Sequence, residues 1–168
     1  FGTEFFNKNK TRIKIINGNL SKKYIGLHNH VYSELLDSID CIINSAAIVK
    51  HFGNVREFIE VNVKGPERLL YLAQKGRKKD FYHISTMSVA FGEILDDKPM
   101  LFTEAKSDIG YIFDNEYIRT KKESEKIVID WRKEGVNTTV FRNGMLMFHS
   151  LTGQFQKNID ENAFYRFL

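Results

Sequence analysis

The sequence has 168 residues, 42% of them hydrophobic, with 14 Phe and 7 Tyr, which supports one domain with a real core and excludes a disordered chain. No apolar run reaches the roughly 18 residues needed to span a membrane, and Cys41, the single cysteine, excludes an internal disulfide and suits a reducing cytoplasm. The net charge of +4 comes with scattered lysines and no interleaved aromatics, so it reads as solvated basic surface and not as a nucleic-acid interface. The chain opens Phe-Gly-Thr with no Met and no signal-peptide pattern, and is read as part of something longer.

In chain order, TRIKIINGNL (11–20) carries β-branched residues up to Asn17-Gly18 and predicts a strand ending in a turn. HVYSELLDSID (30–40) has helical spacing at Val31, Leu35, Leu36 and Ile39. DCIINSAA (40–47) is a short continuous apolar run suited to a buried parallel strand, in which Cys41 acts as a small hydrophobe. Residues 54–76 predict a long amphipathic helix closed by Gly76, with Gly65-Pro66 marking a kink or a close packing contact. KDFYHISTMSV (79–89) predicts the next strand, with Ser-Thr just past its end. Residues 92–110 form a loop rich in turn residues. Residues 115–135 form a helix stopped by Gly135, in which Trp131 packs into the core. Residues 136–144 form a further strand.

Strands alternating with long helices predict an α/β fold: a Rossmann-like, doubly wound parallel sheet with helices on both faces. Ligands in such sheets lie beyond the carboxyl ends of the strands. Four predicted ends are small or polar: Gly18-Asn19-Leu20, Asn44-Ser45-Ala46-Ala47, Ser85-Thr86 and Arg142-Asn143-Gly144. Together they form a credible binding edge.

Tyr117 and Lys121 stand four residues apart, so they share one helix face. A nearby ammonium lowers a phenol's pKa, and the tyrosine can then protonate an oxygen that becomes negative. Lys121 has a second possible task on a ribose hydroxyl. Thr86 can donate to the same oxyanion, with Ser85 or Ser88 as substitutes for it, and hydride must come from a cofactor. The histidines show no metal-ligand spacing, so no metal site is assigned. Asp96, Asp97, Glu104 and Asp108 read as a solvated loop.

The segments INGNLSKKYIGL, IDCIINSAAIVKHFG, FIEVNVKGPERLLYLA, FYHISTMSV, EYIRTKKESEKIV and TTVFRNGML make the chain resemble an extended short-chain dehydrogenase/reductase. More narrowly, it resembles the thioester reductase domains of nonribosomal peptide synthetases and carboxylic acid reductases. Asn-Ser-Ala-Ala followed by Phe52, Val-Asn-Val-x-Gly and Ser-Thr-x-Ser-Val carry the narrower likeness.

The resemblance implies a catalytic triad of Thr86, Tyr117 and Lys121. It implies that Gly18, Asn19 and Leu20 border the adenine, with Asn19 where the family usually has Asp. Asn44, Ala46 and Ala47 would lie against the cofactor. Asn143, Gly144 and Met145 would line the nicotinamide side, and Asn62 would brace the site. It further implies NADPH as cofactor and a phosphopantetheinylated carrier protein as partner. Hydride addition to the carrier-bound acyl or peptidyl thioester would release an aldehyde, or an alcohol after a second reduction.

The family's opening strand, Gly-x-x-Gly-x-x-Gly turn and helix, which hold the pyrophosphate, have no match in the sequence. The basic residue for the NADP 2′-phosphate and most of the C-terminal substrate region are missing too. Residues 1–144 are thus expected to be a partial dinucleotide-binding domain, lacking its first glycine-rich βαβ unit, and 145–168 the start of a substrate-binding region. These residues alone are expected not to complete a cofactor site. Two alternatives stay open: another extended reductase-fold enzyme, such as a nucleotide-sugar epimerase or dehydratase or a fatty acyl reductase, and a non-catalytic fragment.

Overall fold

Short runs of β-branched and aromatic residues become the strands of a parallel sheet, and the amphipathic segments between them become its helices. The computed structural model describes residues 3–50, 52–90, 102–105, 115–144 and 149–153. Helix α1 (Thr3–Asn9) and α2 (Asn29–Ser38) precede strand β1 (Cys41–Asn44). Helix α3 (Val55–Phe58), a π-helical turn (Ile59–Val63) and α4 (Lys64–Gln74) lead to β2 (Asp80–Thr86). Helix α5 (Glu116–Asp130) then leads to β3 (Asn137–Asn143).

The strand order is β1-β2-β3, all parallel, with Ile42 opposite Phe81, Phe81 opposite Thr138 and Thr86 opposite Asn143. α4 and α5 pack on the face that carries Ile42, Phe81, His83 and Ser85. The core lies there: Tyr32 of α2, Leu69, Leu70, Leu72 and Ala73 of α4, Val128 of α5 and Val136 surround Phe81. Trp131 packs against this cluster and meets Tyr71 edge-on at 4.7 Å, as its helical spacing predicts. The opposite face carries Ile43, Tyr82 and Phe141, with Ile43 65% exposed. The predicted parallel α/β architecture is present, and the helices that pack on the sheet among the described residues lie on one face.

Three local features differ from expectation. The predicted strand over 11–20 does not form. Lys10–Arg12 make a 3-10 turn, and Ile13–Asn17 run outside any ladder, with Ile15 78% exposed. A strand exists through its neighbour's hydrogen bonds, and this segment has no ladder partner among the described residues. Cys41 is exposed, because the strand's alternation gives the helix-covered face to Ile42 and Asn44.

The helix predicted over 54–76 is real but interrupted by the π-helical turn, which places Asn62 and Val63 inward. Pro66 sits in the first turn of α4, where its missing N–H costs nothing, so the predicted mark is a close contact and not a break. A Cβ on Gly65 would lie 3.2 Å from the Leu20 Cβ. Gly76 ends the helix as expected: its φ is +65°, and a Cβ there would lie 2.6 Å from the Leu36 carbonyl oxygen. Lys79, 1% exposed, closes the same corner by donating to the carbonyls of Leu36, Lys75 and Arg77 at 2.7 to 2.8 Å.

Candidate active site

The start of α5 is fixed by Asn115, whose side chain accepts from Ile118 N at 2.9 Å, with Glu116 favourable in the first turn. Tyr117 therefore sits in that first turn, beside the carboxyl end of β2. Its phenol and the Thr86 hydroxyl are hydrogen-bonded. Thr86 is itself held by a local turn: Ser88 N donates to Thr86 Oγ1 at 3.1 Å, and the two hydroxyls lie 3.1 Å apart. Of the three candidates at this strand end, Ser85 is turned away. It lies on the helix-covered side, where its hydroxyl donates to Glu125, so it is no substitute for Thr86.

Lys121 follows one turn later and is 4% exposed. Its ammonium donates to the Ile84 carbonyl at 2.5 Å. Burial lowers its pKa to about 8, opposed by the Glu125 carboxylate. The Tyr117 phenol is shifted upward, because burial outweighs the lowering effect of the Thr86 hydrogen bond. The sequence-based expectation that the ammonium dominates and lowers this pKa is therefore corrected. The Tyr117 phenol is therefore neutral at physiological pH.

A polar layer supports these groups. Asn44, 3% exposed, lies 3.1 Å from His83 Nδ1, and Ser124 Oγ lies 3.2 Å from His83 Nε2. Burial, then the Lys121 charge, push the His83 pKa down to about 3, so the ring is neutral. Among the described residues, the Asn44 Oδ1 is buried without a partner. Asn62 accepts from Ile48 N at 2.7 Å and donates to Ile48 O and Thr120 Oγ1, each at 3.0 Å. This ties the loop after β1, with Ala46 and Ala47, to α5.

The remaining predicted residues, Met145 apart, have definite places. Asn143 is exposed at the end of β3 in register with Thr86, and Gly144 follows it. Met145 lies outside the described residues. Asn19 uses its side-chain oxygen locally, accepting from Ser21 N at 2.9 Å. Leu20 packs against Gly65 and the core periphery, and its carbonyl accepts from Arg68 at 2.8 Å. Gly18 lies under the Ile25 carbonyl, which accepts from Asn19 N at 2.6 Å. Thr86, Tyr117, Lys121 and Asn143 thus gather at one rim, while Gly18–Leu20 form a separate turn. The sequence reading missed His83, Ser124 and Glu125 and placed Arg142 at the binding edge without its ion pair; the one signal for Glu125 was its spacing of four from Lys121.

Among the described residues, no cluster of three or more His, Cys, Asp or Glu is placed to hold a metal ion. No helix among them is long and apolar enough to cross a membrane. A cleft of about 860 Å³ runs along the outer edge of β3, bordered by Met87, Phe102, Phe141 and Asn143. For a nicotinamide cofactor, the residue types fit the nicotinamide-ribose end: a phenol and a hydroxyl meet at the end of β2, and a buried amine stands one helix turn away on the Ile84 carbonyl. A glycine turn for the pyrophosphate is not among these 168 residues.

The chain matches the profile of the male sterility protein family, an NAD-binding domain, over residues 2–165. It is 25% identical over 151 residues to a non-canonical nonribosomal peptide synthetase, cpsA, of Aspergillus campestris, covering 85% of this chain and 14% of that protein. It is 28% identical over 152 residues to a carboxylic acid reductase of Mycobacterium tuberculosis, covering 85% and 13%. Its fold superposes on an archaeal nonribosomal peptide synthetase thiolation-reductase di-domain with a TM-score of 0.81 and 30% identity, covering 98% of this chain and 34% of that one. The chain therefore belongs to the male sterility protein family of NAD-binding domains, and its likeness within that family is to the reductase domains of nonribosomal peptide synthetases and carboxylic acid reductases.

Proposed function

We propose that these residues serve an NADPH-dependent reductase acting on an acyl or peptidyl thioester carried by a phosphopantetheinylated carrier protein. The observation that carries this reading is the Tyr117–Thr86 hydrogen bond at the strand rim, with Lys121 one turn away. The nicotinamide cofactor supplies the hydride. Tyr117 and Thr86 receive the thioester oxygen, where negative charge grows as the carbonyl carbon becomes tetrahedral. Tyr117, neutral at the start, gives its proton to that oxygen. Collapse of the hemithioacetal breaks the C–S bond, releases the carrier thiol with a proton and leaves an aldehyde.

Lys121 keeps positive charge beside the phenol as it ionises and orients the ribose. Asn143, Gly144 and Met145 line the nicotinamide side; Asn44, Ala46 and Ala47 let the cofactor approach the β1 end; Gly18, Asn19 and Leu20 border the adenine. The apolar residues Met87, Phe102 and Phe141 suit an acyl chain. Residues 1–144 act as the dinucleotide-binding part and 145–168 begin the substrate-binding part. The thiolation-reductase pairing in the archaeal relative supports the carrier partner, and a reducing, cytoplasmic setting suits NADPH and a free Cys41.

The test is isotopic. The complete gene product is incubated with an acyl-loaded carrier and NADPH deuterated at the transferable position. The reading requires aldehyde bearing deuterium at the former carbonyl carbon, with free thiol in equal amount. Thiol released with unlabelled carboxylic acid would identify hydrolysis and end the proposal.

A further inference from the structure

Glu125 is 1% exposed, and a lone carboxylate so deep would be costly to desolvate. It is not alone. The Ser85 hydroxyl donates to one carboxylate oxygen in a short hydrogen bond. Arg142 donates to the other from Nε at 3.0 Å and Nη2 at 2.9 Å. Both oxygens are thus satisfied by charge-assisted bonds of fixed geometry.

The three partners come from three elements, and each stands beside a candidate site residue. Ser85 precedes Thr86 on β2. Arg142 precedes Asn143 on β3. Glu125 lies one turn past Lys121 and two past Tyr117 on α5. The far side of Arg142 sits 4.9 Å from the Phe102 ring, and its Nη1 lies 3.4 Å from the Thr103 carbonyl, so the same residue also holds the wall of the cleft.

We propose that Glu125, clamped by Ser85 and Arg142, is a positioning residue: it fixes where α5 lies against the strand ends, so that Tyr117 meets Thr86, and it sustains the charge of Lys121. The reaction it serves is the thioester reduction proposed above. Glu125 is the influence that opposes burial at Lys121. The other titratable groups near Lys121 are His83 on β2, which is neutral, and Tyr117 on α5; Arg142 on β3 is committed to Glu125. Asn62, facing from the π-helical turn, is uncharged. A purely structural ion pair can be exchanged for apolar residues of similar volume at little cost. A carboxylate whose charge also offsets the burial of an ammonium one helix turn away cannot.

The experiment compares wild type, Glu125→Gln and Ser85→Ala in the complete gene product. In Glu125→Gln, kcat for thioester-dependent NADPH oxidation should fall about tenfold to a hundredfold, as expected for a misplaced acid, with KM within about threefold. The Lys121 midpoint, followed by NMR of ¹³Cε-labelled lysine and assigned with Lys121→Met, should drop below its wild-type value of about 8. Ser85→Ala keeps both charges, so it should lower kcat about fivefold while leaving that midpoint in place; it decides the positioning role should Glu125→Gln fail to fold. Full kcat in either folded variant, or an unchanged Lys121 midpoint in Glu125→Gln, overturns the proposal. Should wild type oxidise no NADPH with any thioester, the reductase reading fails, and the NMR midpoint still decides the link between Glu125 and Lys121.

Discussion

The Asn62 carboxamide donates to Thr120 Oγ1 at 3.0 Å and also bonds both backbone groups of Ile48, so one side chain joins the loop after β1 to α5. Removing it leaves Ile48 N–H and C=O short of partners in a part-buried place. Asn62→Ala should destabilise the fold by about 2 to 4 kcal/mol, read from urea unfolding at constant slope. A loss below about 0.5 kcal/mol would show that the clamp is dispensable.

His83 should stay neutral well into acid. Its folded pKa of about 3 lies below the ordinary 6.5. Between those values the unfolded chain takes a proton that the folded ring refuses, so stability falls as pH falls through that window. At pH 5 this single group should cost about 2 kcal/mol relative to pH 7. Histidine ring NMR should show no titration of His83 between pH 8 and 5. A midpoint near 6.5 would contradict the buried network with Asn44 and Ser124.

Lys79 is a buried cation satisfied by three carbonyl oxygens, with no carboxylate hydrogen bond among the described residues. Lys79→Met keeps the volume and removes all three donors at the corner where α4 ends. A loss of about 1 to 3 kcal/mol in urea unfolding is expected. Unchanged stability would mean that water replaces the amine there.

What the sequence revealed depended on how local the cause was. The parallel strands Cys41–Asn44, Asp80–Thr86 and Asn137–Asn143 were legible as apolar, β-rich runs, and α5 was legible from its spacing, although it ends at Asp130 and residues 131–135 form tight turns instead of continuing the helix to Gly135. Tyr117 and Lys121 were legible because one helix turn brings them together. The strand over 11–20 failed because β-branched content reports what a segment tolerates, while pairing needs a neighbour. Glu125 and His83 stayed hidden in their true roles, whereas Asn62 was expected to brace the site and does so without its partners being foreseen. Their partners Arg142, Ser124 and Thr120 come from other elements, and no period in the chain records those contacts.

Cys41 distinguishes the two views most cheaply. Read as a residue of a buried strand it should be inert, yet the structure exposes it. A thiol reagent should modify Cys41 in the native protein without denaturant, at a rate close to that of the unfolded chain. Protection by more than about a hundredfold would place another element over that face of β1.

The central claim is that the Tyr117 phenol, hydrogen-bonded to Thr86, is the acid of the site. Its most direct test is Tyr117→Phe in the complete gene product, comparing thioester-dependent NADPH oxidation with NADPH affinity. The account predicts a loss of at least about a hundredfold in kcat, with cofactor Kd changed by less than about threefold. Turnover within about twofold of wild type in the folded variant would contradict it.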